Sequence, residues 1–123
     1  MSDKNNWPDE IRLKKEKNEL QVKFNDGREY NYSAEFLRVH SPSAEVQGHS
    51  PDQRKIVGYK SEVLIKSVEP VGNYAVKLDF DDGHNTGLYS WSYLYRIGED
   101  YKEMWQAYLE DLEKNNLARF LKK

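Results

Sequence analysis

Residues 69–91 hold the most restrictive pattern in the chain. Tyr74, Val76, Leu78 and Phe80 alternate with Ala75, Lys77 and Asp79, the period of two that belongs to a strand with one buried face. Asp81-Asp82-Gly83 follows at once and supplies the residues that a tight reversal needs, so this stretch reads as a β-hairpin. A second segment repeats the pattern. Leu20, Val22 and Phe24 alternate, Asn25-Asp26-Gly27 makes the turn, and Arg28 to Tyr32 returns.

Laid side by side, Leu20 to Gly27 and Ala75 to Gly83 each lead into a tyrosine-bearing strand and then a serine placed to cap a short helix, Ser33 before Ala34 to Val39 and Ser90 before the second. One more residue separates Gly83 from Ser90 than Gly27 from Ser33, which fits a bulge or longer turn around Asn85-Thr86-Gly87. Duplication of a unit and shared hairpin chemistry both account for the likeness. The second copy carries His84 and Trp91 where the first carries Arg28 and Ala34.

The remaining elements follow from local signals. Ile11 and Leu13 share one face of an extended segment, Lys55-Ile56-Val57 predicts a short strand, and Glu62 to Pro70 predicts a stronger one ended by Pro70 and Gly72. Residues 41–52 have loop chemistry, with serines, prolines, a glycine and His49. Ser92 to Ile97 predicts a short helix stopped by Gly98. Trp105, Tyr108, Leu109, Leu112 and Phe120 recur at helical spacing, which predicts an amphipathic C-terminal helix over about 100–121 whose apolar stripe covers the sheet. The expected fold class is α+β: a mainly antiparallel β-sheet with hairpins, two strand-turn-strand-short-helix units and that helix. Residues 1–6 are expected to form a disordered tail and 7–123 a single domain.

Charge and composition exclude several functions. The net charge is -2, with nineteen Lys and Arg interspersed among twenty-one acids, so no basic surface is set up for nucleic acid. Cysteine is absent, which removes disulfides, thiolate metal sites and thiol catalysis within this chain. No apolar run reaches the length of a membrane span, and the expectation is a cytoplasmic protein without membrane contact. Only 37% of residues are hydrophobic, yet sixteen of them are Phe, Trp or Tyr, enough for a small aromatic-rich core.

Asp79, Asp81, Asp82 and His84 form the one acidic cluster with a histidine beside it. Such carboxylates and an imidazole are ligands for iron, manganese or zinc, but a turn also wants these aspartates for its own hydrogen bonds. A turn does not ask for histidine. His84 is therefore either a metal ligand, a polar contact to a partner, or a hydrogen-bonded imidazole beside Trp91. Tyr89, Trp91, Tyr93 and Tyr95 either stack on a ligand or pack in the core, and Arg38 either holds an anion or pairs with Glu35 or Asp82. There is no nucleophile elbow, no phosphate-binding glycine pattern, and no acid two residues after His40, His49 or His84, so no enzymatic activity is expected.

Five segments together, Trp7 to Leu13, Glu35 to Val39, Ser41 to His49, Glu69 to Val76 and Phe80 to Trp91, resemble the gamma-butyrobetaine hydroxylase-like N-terminal domain family. In the eukaryotic hydroxylases this domain precedes the iron and 2-oxoglutarate domain and carries a zinc bound by three cysteines and a histidine. None of these residues resembles that catalytic domain, so no oxygenase activity is expected of them. The family's Leu-Arg-x-x-Cys-x-Cys-x-x-Cys pattern falls on Leu37-Arg38, with Ser41, Ser43 and Val46 at the cysteine positions and His84 at the histidine. A similar domain is appended to P-loop ATPases associated with iron–sulfur clusters, and free-standing bacterial versions occur. The resemblance thus implies a small non-catalytic accessory or interaction module linked to iron or iron–sulfur metabolism. Its expected protein partner, or a second copy in a homodimer, meets Tyr74, His84, Tyr89, Trp91 and Arg38. The alternative is a metal-binding protein holding iron or zinc with His84, His49 and Asp82.

Overall fold

A computed structural model describes residues 6–48 and 51–120, the side chain of Pro51 excepted. Strands β1 (Pro8–Leu13), β2 (Glu19–Phe24) and β3 (Glu29–Ser33) form one antiparallel sheet, and β4 (Ile65–Val71), β5 (Ala75–Phe80) and β6 (Leu88–Ser90) form another. Helix α1 (Ala34–Val39) follows the first sheet, and α3 (Trp91–Glu99) follows the second. The short α2 (Ala44–Gln47) and the long α4 (Tyr101–Lys114) complete the α+β architecture. Leu20, Val22 and Phe24 of β2 and Val76, Leu78 and Phe80 of β5 are buried in one shared core with Phe36, Leu37, Leu94 and Ile97 of α1 and α3. The period-2 pattern is what aims these six strand residues inward.

The two sheets are halves of a repeated unit, and each half completes the other. Ser33 accepts a hydrogen bond from Phe36 N–H to cap α1, and Ser90 accepts one from Tyr93 N–H to cap α3. The residue before each cap is a fully buried tyrosine whose hydroxyl crosses over: Tyr32 donates to Leu94 O of α3, and Tyr89 donates to Leu37 O of α1. The turn aspartates cross over too, since Asp26 accepts from the Tyr95 hydroxyl and Asp82 from Arg38 Nε, residues at the same offset after the two caps. Gly27 and Gly83 take matching left-handed φ values of 91° and 92°, as the bulged turn requires. Chance similarity of two hairpins does not produce reciprocal tertiary bonds, so the structure favours a true repeat of the unit.

Four expectations need correction. Pro70 does not end its strand: β4 continues to Val71, because it is an edge strand and the missing N–H faces outward. Gly98 does not stop α3, which runs to Glu99. Instead it lets Tyr30 lie flat on the helix, since a Cβ there would sit 2.5 Å from the ring. Residues 55–57 form no strand; Ile56 and Val57 pack against Val39, Tyr108 and Leu112, and Tyr108 donates its hydroxyl to Val57 O. Finally, α4 ends at Lys114, where Asn116 turns left-handed and Leu117 N–H returns to Leu112 O. The chain then doubles back, Arg119 pairs with the buried Glu35, and Phe120 is exposed rather than part of the stripe. Much of that stripe, Tyr108 and Leu112 above all, covers α1 and the 56–57 segment rather than the sheet.

Candidate functional site

The second turn places His84 inward. Its N–H is held by Asp82 Oδ1, the turn's own acceptor, and its ring is only 6% exposed, at the junction with the loop that leaves α1. His84 Nε2 lies 2.9 Å from Ser41 Oγ and Nδ1 lies 3.0 Å from Glu45 Oε1. Burial and the nearby Arg38 cation push the imidazole below its ordinary value, against the pull of Glu45, so it is neutral near pH 7. The network then assigns its proton: Nδ1–H donates to Glu45, and Nε2 accepts from the Ser41 hydroxyl, which in turn accepts from Ser43 N–H. Ser43 Oγ and Thr86 Oγ1, 2.7 Å apart, extend the same polar seam. One imidazole thereby fastens the second hairpin to the 41–48 loop.

Asp82 is the neighbouring node. Its Oδ2 lies 2.8 Å from Arg38 Nε and 2.6 Å from Lys60 Nζ. Partial burial alone would raise this carboxyl, but hydrogen bonds from Lys60, His84 N–H and Arg38 outweigh it and bring it down to about 2. The Arg38 expectation resolves to the ion pair with Asp82, while Glu35 takes Arg119 instead. Asp81 is also spent on structure, accepting from Leu64 N–H. Asp81 and Asp82 edge an open cavity of about 630 Å³ with Tyr59, Lys60 and Phe120. Lys60 is committed to Asp82 there, and the remaining charges of the lining, Glu62 and Asp81, are acidic.

Of the residues expected to meet a partner, Tyr89 and His84 are interior and contribute no surface, and Arg38 keeps only 12% of its side chain exposed. Tyr74 is 57% exposed, and Trp91 is half-buried with Nε1–H donated to Asn73 O. Leu88, 43% exposed, joins them although no sequence signal singled it out. Of the expected metal ligands, His84 has both ring nitrogens engaged and Asp82 is held by two cations, while His49 lies outside the described residues. His40 is buried on the other side of α1, with Nδ1 3.0 Å from Phe36 O. Among the described residues no three His, Cys, Asp or Glu side chains come together as metal ligands.

The family model described as gamma-butyrobetaine hydroxylase-like, N-terminal, matches residues 11–95. The chain belongs to that family. Two members of its structural neighbourhood, both proteins solved in solution by NMR, resemble this gamma-butyrobetaine hydroxylase-like domain closely. One is 42% identical with a TM-score of 0.81 over 95% of this chain and 92% of its own, and the other is 39% identical with a TM-score of 0.82 over 100% and 93%. A crystal structure of a protein of unknown function of the DUF971 family, from Acidithiobacillus ferrooxidans, is 40% identical with a TM-score of 0.62 over 74% of this chain and 91% of its own. The comparison with curated proteins returned no match.

The zinc set implied by the resemblance does not fit this gamma-butyrobetaine hydroxylase-like domain. Ser41, Ser43 and Val46 are all buried around the loop that His84 fastens, but two hydroxyls and an isopropyl group offer no thiolate to a tetrahedral zinc. Hydrogen bonds occupy the place instead: Ser41 serves the imidazole directly and Ser43 serves Thr86. The structure brings Ser41 and Ser43 beside the second turn that carries His84 and Thr86. The hydrogen-bonding partners Glu45 and Thr86, like the Lys60 that joins Asp82, carried no motif by which to find them.

Proposed function

We propose that this domain is a non-catalytic cytoplasmic interaction module that binds a protein partner along the edge strand β6, through Tyr74, Leu88 and Trp91. The repeat supplies the supporting observation. Strand register pairs Ser90 with Ala75 and Leu88 with Lys77, as Ser33 pairs with Glu19 and Asn31 with Gln21. The first-half equivalents of Tyr74, Leu88 and Trp91 are therefore Asn18, Asn31 and Ala34. Where the first unit is polar or small, the second presents a tyrosine just before β5, a leucine on β6 and a tryptophan at the start of α3, with the Trp91 N–H to Tyr74 O bond joining the outer two. Tyr74 and Leu88 are exposed apolar residues with no counterpart in the first half, and Trp91, which also packs against the core, borders them. A link to iron or iron–sulfur metabolism rests on the family association.

Cross-linking followed by affinity capture from the source cell's extract tests the reading. A Tyr74→Ala/Leu88→Ser variant should lose the captured partner, and an Asn18→Ala/Asn31→Ala variant, altered at the equivalent face, should keep it. Equal capture by both would refute the assignment. A concentration-dependent dimer that the first variant abolishes would identify the partner as a second copy.

A further inference from the structure

Four of the six arginines are committed to acids: Arg12 to Glu10, Arg28 to Glu99, Arg38 to Asp82 and Arg119 to Glu35. Arg54 and Arg96 have no such partner among the described residues, and both line the same cleft of about 300 Å³. The cleft lies where the end of α1, α2, α3 and α4 converge. Arg96 is pre-positioned, its guanidinium stacked 5.2 Å over the Tyr93 ring, and Tyr93 is itself anchored by donating its hydroxyl to His40 O. Arg54, Arg96 and Tyr93 thus border one space.

His40 lines the cleft too and is 96% buried, its exposure being 4%. Its Nδ1 faces Phe36 O, a carbonyl that can only accept, so the proton sits on Nδ1 and Nε2 is left as an acceptor. Burial, with Arg54 adding in the same direction, keeps the ring neutral. Gln47 is fixed on another wall by donating to Ser41 O. Asp111 on the α4 side repels additional negative charge, which disfavours polyphosphates and favours a ligand with one anionic group. The Tyr93 and Arg96 pair also walls an adjoining depression of about 260 Å³ with Ser90 and Ser92, giving a ligand room to extend.

We propose that this cleft binds a small organic anion whose single phosphate or carboxylate is held by Arg54 and Arg96 and whose hydroxyl or amine donates to His40 Nε2. Guanidinium groups suit either oxyanion through paired hydrogen bonds, and the neutral imidazole selects for a donor beside it. The site sits among the helices and not at β6, so it stands or falls separately from the partner surface.

Titration of the 15N-labelled full chain, followed by amide and imidazole resonances, tests it with three probes: inorganic phosphate, lactate as a hydroxy-monocarboxylate, and chloride as the ionic-strength control. Phosphate or lactate should give saturable shifts at Gln47, Tyr93, Arg96 and Asp111 that chloride does not. Arg54→Ala and Arg96→Ala should each weaken binding about tenfold or more. Both side chains are exposed, so unchanged spectra elsewhere confirm the fold. Binding of phosphate alone identifies the phosphate source, and binding of lactate with a shift at His40 Nε2 identifies the hydroxy-carboxylate. Shifts that do not saturate, that scatter over surface lysines, or that persist undiminished in both arginine variants would overturn the proposal.

Discussion

Acid should destabilise this protein through His40 well before its carboxylates protonate. The ring is 4% exposed, and burial lowers its pKa from 6.5 to about 4, with its hydrogen bond to Phe36 O opposing the shift only in part. Because the folded value lies below the unfolded one, the unfolded chain takes up the proton first as pH falls. The contribution to stability is complete above the unfolded value of 6.5, declines through the interval down to about 4, and is lost below it. A difference of that size is worth at most about 3 kcal/mol, a substantial part of the roughly 5–15 kcal/mol that holds a domain folded. His84 acts in the same direction, whereas Asp82, lowered to about 2, withdraws its share only under stronger acid. Urea denaturation from about pH 7.5 to about pH 4 measures the slope directly. In His40→Gln, whose amide can still donate to Phe36 O, the decline should shrink to the part owed to His84. Parallel stability profiles for the two proteins across that interval would refute the argument.

The crossed tyrosines make a second test. Leu37 O stands near the end of α1, where the following Ser41 N–H turns to Arg38 O, so Tyr89→Phe leaves a buried acceptor unserved at a cost of about 1–3 kcal/mol. Tyr32→Phe should cost less in the same urea measurement, because Leu94 lies inside α3 and keeps the N–H four residues on. Zinc or ferrous iron should leave the thermal midpoint unchanged, since a metal at one hundred times its Kd would add about 2.7 kcal/mol and a visible rise; a saturable rise abolished by His84→Ala would restore the metal reading.

What the sequence revealed here is what backbone periodicity and turn chemistry control. Both hairpins, both serine caps and the amphipathic α4 depend on neighbours within a few residues, and those neighbours are visible in a string. The corrections share the opposite cause. Pro70 is tolerated because β4 is an edge, Gly98 is retained because Tyr30 crosses it, and α4 stops because the chain must return Arg119 to Glu35. Each is a tertiary fact that overrides a sound local signal. His84 was legible as unusual for a turn, but its meaning depends on Ser41 and Glu45, forty-three and thirty-nine positions away, and on an interior position that no alternation of residues near it announces.

The repeat changes how the remaining question should be asked. Within one unit, His84, Leu88 and Trp91 look like three unrelated oddities beside a turn. Set against Arg28, Asn31 and Ala34, they divide by what surrounds them. Arg28 runs along the surface to Glu99, while His84 turns inward to Ser41 and Glu45, so this exchange trades a surface ion pair for a buried fastening of the 41–48 loop. The other two exchanges add apolar area that the core does not fully absorb, leaving Leu88 43% exposed and Trp91 half-buried. The fastening matters to function all the same. By tying the loop after α1 to the second hairpin, His84 fixes the end of α1 from which His40 lines the helical cleft. Loss of that tie should loosen the cleft while leaving the β6 edge, held by its own ladder to β5, in place.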